Sequence, residues 1–312
     1  MNKFRQFKAG DVFDTVALLV EVVSKKTKNG SDYLNLGLSD GEQIIHANLW
    51  NTNKEQFDFD VNQVLQISVQ VGEFNGGLSY TILNYSKAEE SYKVTDFIKR
   101  TPLNPESMYK ALIEYSDKFE NRKLSELVKI IYEDHKEKLL YWSAAKSVHH
   151  NCYGGLLYHV YRMVRTASVI AKIYSNVLNK DLLIAATMLH DIGKIHELET
   201  SELGVADYSI QGTLLGHATI GINMIDHYAR QVDLEEETKL LLQHCISSHH
   251  GQIEWGAITT PAIPEACALS YIDNLDAKMY IFEEQYNVLE NGQISDKIFG
   301  LGQRVYKPKL LD

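Results

Sequence analysis

Residues 179–194 read "NKDLLIAATMLHDIGK", and this stretch decides how the rest of the chain is read. From Leu182 to Leu189 it is almost wholly apolar, the composition of a helix buried on every side. It then ends on His190 and Asp191, with Gly193 and Lys194 directly after. Burying an ionised aspartate beside an imidazole is costly unless something positive compensates it. A divalent metal is one compensator and Lys194 is another. A lone His-Asp pair equally fits a polar helix end, so the decision rests on what else the chain supplies.

It supplies a series. "GGLLYHVYRMV" (154–164) puts His159 in an apolar helix, and "LLGHATIGINMI" (214–225) puts His217 near the start of another. "DLEEETKLLLQHCISSHHG" (233–251) has Asp233 and Glu236 in capping-box spacing and ends at a C′ glycine, Gly251. His249 and His250 then fall in the last turn, where backbone carbonyls favour cations. "PEACALSYIDNLDAKMYIF" (264–282) carries two aspartates. At 100° per residue Asp273 falls among Ala266, Leu269, Ala277 and Tyr280, the better inward position. Asp276 falls on the flank, toward Glu265 and Glu283. Mixed imidazole and carboxylate donors suit Mn, Fe, Co, Ni or Zn better than Mg or Ca. The absence of nearby thiolates argues against a structural zinc site. Of the twelve histidines, five lie in the pairs His149-His150, His190-Asp191 and His249-His250. His135, His227 and His244 read as ordinary histidines; His196 and Glu197 follow the motif closely enough to support its ligands, though a solvated loop is the leading reading.

The first part of the chain has a different period. "YLNLGL" (33–38) and "VLQISVQVG" (64–72) alternate apolar and polar residues, as half-buried strands do. Turn signals stand at "KNGSD" (28–32), "SDGE" (39–42) and "FNGG" (74–77). Five strands are expected near 12–23, 33–38, 44–50, 64–71 and 78–84. Five short antiparallel strands predict a small barrel, and the OB-fold is the leading candidate. Beyond "VTDFIKRTPLNPES" the pattern turns helical. The expected organisation is therefore α+β and multidomain. A β-barrel spans 1–88, a helical connector 89–140, and an all-α bundle with a tail 141–312.

The totals bound the function. Of 312 residues, 45% are hydrophobic and 23% charged, as in a globular protein. No run approaches a membrane span, and the amino terminus lacks the apolar core of a secretory signal. Cys152, Cys245 and Cys267 form no CxxC pair, which fits reduced thiols and a cytoplasmic location. A formal charge of −10 argues against a protein that coats nucleic acid electrostatically. It leaves room for an enzyme that neutralises one phosphate with bound metal.

The ordered set "GGLLYH", "LHDIGK", "LLGH", "SSHHG" and "YIDNLDAKM" resembles the HD-domain metal-dependent phosphohydrolases. With the barrel in front and "KIFGLGQRVYKPKL" at the end, the whole chain resembles the YhaM-type 3′→5′ exoribonucleases. That resemblance implies one ion held by His159, His190, Asp191 and Asp273. It implies a second held by His217, His249 and His250, with Asp191 bridging. Mn2+ is the leading ion and Co2+, Fe2+, Ni2+ and Zn2+ are the others. Asp191 and Lys194 carry the catalytic roles. Where many relatives have Glu before the first ligand this chain has Tyr158, so no carboxylate for a third ion stands there.

The implied substrate is single-stranded RNA, with DNA a further candidate, and the implied product is a nucleoside 5′-monophosphate. Association into a homo-oligomer stays open. Residues expected to meet the strand are Lys25, Lys28, Tyr33, Trp50 and Tyr80 in the barrel and Arg162 in the bundle. Two other readings stand beside this one: a hydrolase of small or cyclic nucleotides, and a non-catalytic nucleic-acid-binding protein.

Overall fold

The computed structural model describes residues 3–74, 77–145, 152–201 and 206–310. The chain divides into two compact units, Met1–Arg100 and Thr101–Asp312.

In the first unit β1 (Val12–Lys26), β2 (Asp32–Ser39), β3 (Ile44–Trp50), β4 (Val64–Phe74) and β5 (Gly77–Lys87) close into a barrel of order β1-β2-β3-β5-β4. All pairs are antiparallel except β3 with β5, the arrangement of an OB-fold. Alternation works as expected: Leu34, Leu36 and Leu38 of β2, and Leu65, Ile67, Val69 and Val71 of β4, are all buried. β1 serves two partners because it bends at a bulge between Leu19 and Glu21. Gly37 lies opposite that bend, where a Cβ would come 2.8 Å from the Glu21 Cβ. Four strands run longer than expected, because their ends are mostly exposed and the apolar alternation fades there. Asn75 and Gly76 of the expected "FNGG" turn lie outside the described residues.

The division falls at residues 100/101, beyond the expected 88. Residues 89–100 stay with the barrel: Phe97 is buried, and the Ser39 hydroxyl donates to its carbonyl at 2.6 Å. The rest of the expected connector belongs to the bundle. α1 (Pro105–Ser116), α2 (Arg122–Asp134) and α3 (Lys136–Leu139) share one core with α4 (Gly155–Ile173) and α5 (Lys180–Leu189). The Tyr132 hydroxyl donates to the Met188 carbonyl at 2.9 Å inside that core. An amphipathic period shows that a helix buries one face, not which core receives it.

The remaining elements are α6 (Lys194–Glu197), the hairpin β6 (Leu198–Thr200) and β7 (Ala206–Tyr208), and α7 (Ile210–Gln231). After them come α8 (Glu236–Ser248), α9 (Pro264–Val288) and the tail hairpin β8 (Ile294–Ile298) and β9 (Gln303–Tyr306). The second unit is thus the expected helical bundle, with two two-stranded hairpins among its described residues. Among the described residues no helix is long and apolar enough to cross a membrane.

Three local features aim the side chains of interest. α5 is buried along its whole apolar length, starts on an Asn179 side-chain cap and delivers His190 as its C-cap. α7 is broken at Gly216 (φ 69°, ψ 154°), so His217 opens a fresh helical segment. α6 packs backbone to backbone on α7: a Cβ at Gly193 would lie 2.0 Å from the His217 carbonyl oxygen. The expected capping box of α8 is absent. Asp233 adopts a left-handed φ of 51° and pairs with Lys123 at 3.1 Å, and Glu235 takes the N-cap with no side-chain bond. Two acidic residues already in the first turn complement the helix dipole there. Gly251 ends the segment as expected, with φ 81°.

Replacing Gly193 with alanine drives a methyl group into main chain that cannot rotate away. Overpacking of this kind costs roughly 1–3 kcal/mol, so calorimetry should find the melting temperature of Gly193→Ala lowered by about 2–12 °C. An unchanged melting temperature would mean α6 and α7 are not in contact there.

Candidate metal centre

Five helices bring the histidine and aspartate series together. The ligand atoms of His159, His190 and Asp273 lie within 4.8 Å of one another, and so do those of His217, His249 and His250. Asp191 stands between the two groups. Its Oδ2 is 3.2 Å from His190 Nε2 and 3.8 Å from His159 Nε2. Its Oδ1 is 3.5 Å from His217 Nε2 and 4.0 Å from His249 Nε2. One carboxylate therefore offers a different oxygen to each group. Asp191, Lys194, His249, His250 and Asp273 all line a cleft of about 410 Å³.

The imidazoles are turned by what holds their far nitrogens. His190 Nδ1 donates to the Thr187 carbonyl at 2.8 Å, and His249 Nδ1 donates to the Ile246 carbonyl at 2.6 Å. A carbonyl only accepts, so in the neutral ring Nε2 is left as a lone pair. His217 Nδ1 meets Glu197 Oε1 at 2.9 Å, and His159 Nδ1 meets Asp276 Oδ2 at 2.7 Å. All four Nε2 atoms consequently face inward. His190 Nε2 is buried with no hydrogen-bond partner among the described residues, and the Nε2 atoms of His217 and His249 face each other at 3.2 Å. Lone pairs gathered this way want a shared cation, and such back-side bonds are what orient metal-ligating imidazoles. The residues fit a divalent metal.

The charges agree with that fit. Burial opposes ionisation of Asp191, yet the Lys194 ammonium at 2.8 Å and the His190 and His217 imidazoles hold it well below the usual carboxylate range. Asp273 is partly buried; its desolvation opposes ionisation, but its bond to His159 and the nearby imidazoles hold it below the usual carboxylate range. Burial and the neighbouring imidazoles push His249 and His250 down, so both are neutral near pH 7, as ligands must be. His159 differs. Burial pulls it down, but its bonds to Asp273 and Asp276 outweigh that and raise it from 6.5 to about 9.

Several residues stand where the sequence did not place them. Asp276, expected on a flank, is 7% exposed and grips His159 from behind. Arg162, expected on substrate phosphate, pairs with Asp276 at 2.7 Å and Glu283 at 2.6 Å, and its guanidinium lies over the Tyr158 ring. It supports His159 from outside the cleft. The helical wheel did group Asp276 with Glu283, but a flank shared with another helix looks like one facing water. Glu197, expected in a solvated loop, is buried and takes both the backbone N–H and the Nδ1 of His217. Burial raises its pKa, and the His217 bonds bring it back below the usual value. His196 packs edge-on against His135, away from the cluster. His149 and His150 lie outside the described residues.

In the barrel, Tyr33 and Trp50 pair across β2 and β3 with ring centroids 4.7 Å apart, and Trp50 is 43% exposed. The Lys25 ammonium reaches Asn35 at 3.4 Å on the same face, and Asn35 donates to Asn48. Lys28 is exposed in the hairpin turn, and Lys26 pairs with Asp32 at 3.5 Å. Tyr80 is different: opposite Ala47 in the register, it packs against the barrel core, where burial raises its phenol pKa. The strand's alternation sends Tyr80 inward with Ile82 and puts Thr81 outside, hydrogen-bonded to the Trp50 indole at 3.4 Å.

Comparison with known proteins gives this geometry a family. The HD domain model matches residues 156–278, the stretch that carries every cluster residue named above. The chain is 34% identical over 303 residues to the 3′-5′ exoribonuclease YhaM of Oceanobacillus iheyensis, covering 96% of this chain and 95% of that one. To the protein of the same name from Halalkalibacterium halodurans it is 33% identical over 308 residues, covering 97% and 95%. A solution structure of the second OB-fold domain of replication protein A from Methanococcus maripaludis aligns at 21% identity over 30% of this chain and 98% of that one. Its TM-score of 0.24 leaves the barrel to be described by its own strand order. Identity at that level over nearly the full length of both relatives means that the chain belongs to the YhaM family and carries that family's HD domain.

Proposed function

We propose that the protein is a metal-dependent 3′→5′ exoribonuclease that cuts single-stranded RNA to nucleoside 5′-monophosphates, working with two divalent transition ions, manganese foremost. The observation that carries this is the Asp191 carboxylate, which offers one oxygen to each of two imidazole-rich groups. His159, His190 and Asp273 would hold one ion and His217, His249 and His250 the other, with Asp191 shared. Bound there, such ions supply an activated water and Lewis-acid charge on the phosphate.

The chain's own residues do the rest. Asp276, Thr187, Glu197 and Ile246 fix the ring orientations, so no reorganisation is needed as charge develops. Lys194 lines the cleft with its ammonium held 2.8 Å from Asp191, and the same cation can meet a phosphoryl oxygen. On the barrel, Trp50 and Tyr33 offer a stacking surface, with Lys25, Asn35 and Asn48 beside it for backbone and base edges. Three free cysteines support a reducing, cytoplasmic setting. A substrate limited to small or cyclic nucleotides would leave this barrel face without a role.

Two outcomes are expected. Chelated protein should lose activity on a 5′-labelled oligoribonucleotide and regain it with manganese or cobalt, releasing monophosphates stepwise from the 3′ end. Asp191→Ala should lower turnover by about 10³-fold or more, as befits removal of a group shared by both ions, while strand binding survives. Release of only cyclic or internal fragments would sink the exonuclease reading.

The His159 shift has its own signature. Without metal the ring stays protonated up to about pH 9, against an ordinary 6.5. A raised folded-state value gives stability that is complete below pH 6.5 and is lost as pH rises through about 9. Metal-free protein should therefore melt progressively lower across that window. Metal binding near neutral pH should release a proton, read by calorimetry in buffers of different ionisation enthalpy. No buffer dependence would refute it.

Trp50→Ala should weaken oligoribonucleotide binding by about fivefold or more in a fluorescence titration, stacking being worth roughly 1–3 kcal/mol per base. Equal affinity would remove Trp50 from the strand path.

A further inference from the structure

The cleft does not end at the metal cluster. A second cavity of about 420 Å³ adjoins it and shares Trp255, Ser270, Asn274 and Lys278 with the first. The shared residues form a wall between the two spaces, and Trp255 is the largest of them. Its side chain is 62% exposed, although it sits just beyond the His249-His250 pair.

The loop that carries it is stiff. The Gly251 N–H donates to the Ser248 carbonyl at 2.8 Å, Gln252 to His250 at 3.0 Å, and Trp255 and Ala257 both to Gln252 at 3.0 and 3.1 Å. Gly251 and Gly256 take left-handed backbone, φ 81° and 98°. A Cβ on Gly256 would press to 3.2 Å of His250 Nδ1, and one on Gly251 would touch the indole at 3.9 Å. The ring is thus held against main chain on one side and open on the other. An exposed indole on a rigid mount loses little entropy when a flat partner covers it.

Its companions suit a nucleotide. On α9, Asn274 and Lys278 stand one turn apart and border both cavities, next to Asp273 of the cluster. Lys278 enters no ion pair among the described residues, so its charge is available to a phosphodiester. Tyr271, 74% exposed, extends the second cavity's wall.

We infer that Trp255 is a nucleobase platform: it stacks on the base adjoining the scissile phosphate, while Lys278 and Asn274 bind the next phosphodiester in the second cavity. This deepens the nuclease reading and rests on it, naming a polymer of at least two nucleotides as what the site grips. Stacking on one indole face ignores base identity, so the subsite fits an enzyme that removes every nucleotide in turn.

The experiment compares wild type, Trp255→Ala and Trp255→Phe on a labelled oligoribonucleotide with manganese, with melting temperatures as the check on folding. Trp255→Ala is expected to raise KM about tenfold or more, with kcat changed far less, and Trp255→Phe to recover most of the loss. An unchanged KM overturns the subsite. So does a phenylalanine variant as poor as the alanine one, or a loss confined to kcat. Binding tests it independently of cutting. In protein carrying Asp191→Ala and Trp50→Phe, the oligonucleotide should quench tryptophan emission, and adding Trp255→Phe should abolish that quench. A quench of the same size without Trp255 overturns the platform. Wild type that leaves the strand uncut overturns the nuclease reading alone, because the quench still decides the subsite.

Discussion

Four imidazoles aim their Nε2 atoms at a common space because each has its Nδ1 held from behind. Two are held by carbonyls of their own helices, at Thr187 and Ile246, and two by carboxylates from elsewhere in the fold, Glu197 and Asp276. Gathered lone pairs are unfavourable in a dry interior without a cation, and ionised aspartates there are worse. Asp191 and Asp273 supply that negative charge at 3% and 16% side-chain exposure. The bundle therefore encloses a centre that is complete only with positive charge in it, and Lys194 and a protonated His159 cover part of the deficit. The burial of α5, the broken α7 and the backbone contact at Gly193 all serve to deliver these groups.

Much of this was legible in the residues. Alternation placed all five strands, and with them the barrel, since strands with one wet face advertise their register. The order of ligands along the chain was legible because each stands at a helix end or on an apolar face. The supporting shell was not. Asp276 and Glu197 look like surface carboxylates in a one-dimensional reading, and only the packing of α9 on α4, and of α6 on α7, buries them. Arg162 misled for the same reason: a cation near a ligand suggests substrate, until a second helix, α9, supplies Asp276 and Glu283 to absorb it.

Glycines carried the least readable information. Gly193, inside the "HDIGK" motif, is required by the His217 carbonyl, and Gly216 by a break that turns His217 toward the cluster. Neither demand shows in local pattern, because each is set by a backbone distant in sequence. Tyr80 shows the converse. An aromatic in a strand invites a binding role, yet a register fixed by neighbouring strands faced it inward.

The chain Glu283, Arg162, Asp276, His159 alternates in sign from a half-exposed carboxylate to a fully buried ring. Its outer end is wetted by solvent and its inner end donates electron density to the centre. Asp276 therefore has one oxygen on the imidazole and the other on Arg162, which Glu283 holds from the far side. The posture of a ring in the dry interior is thus tied, through only four side chains, to a carboxylate at the edge of water.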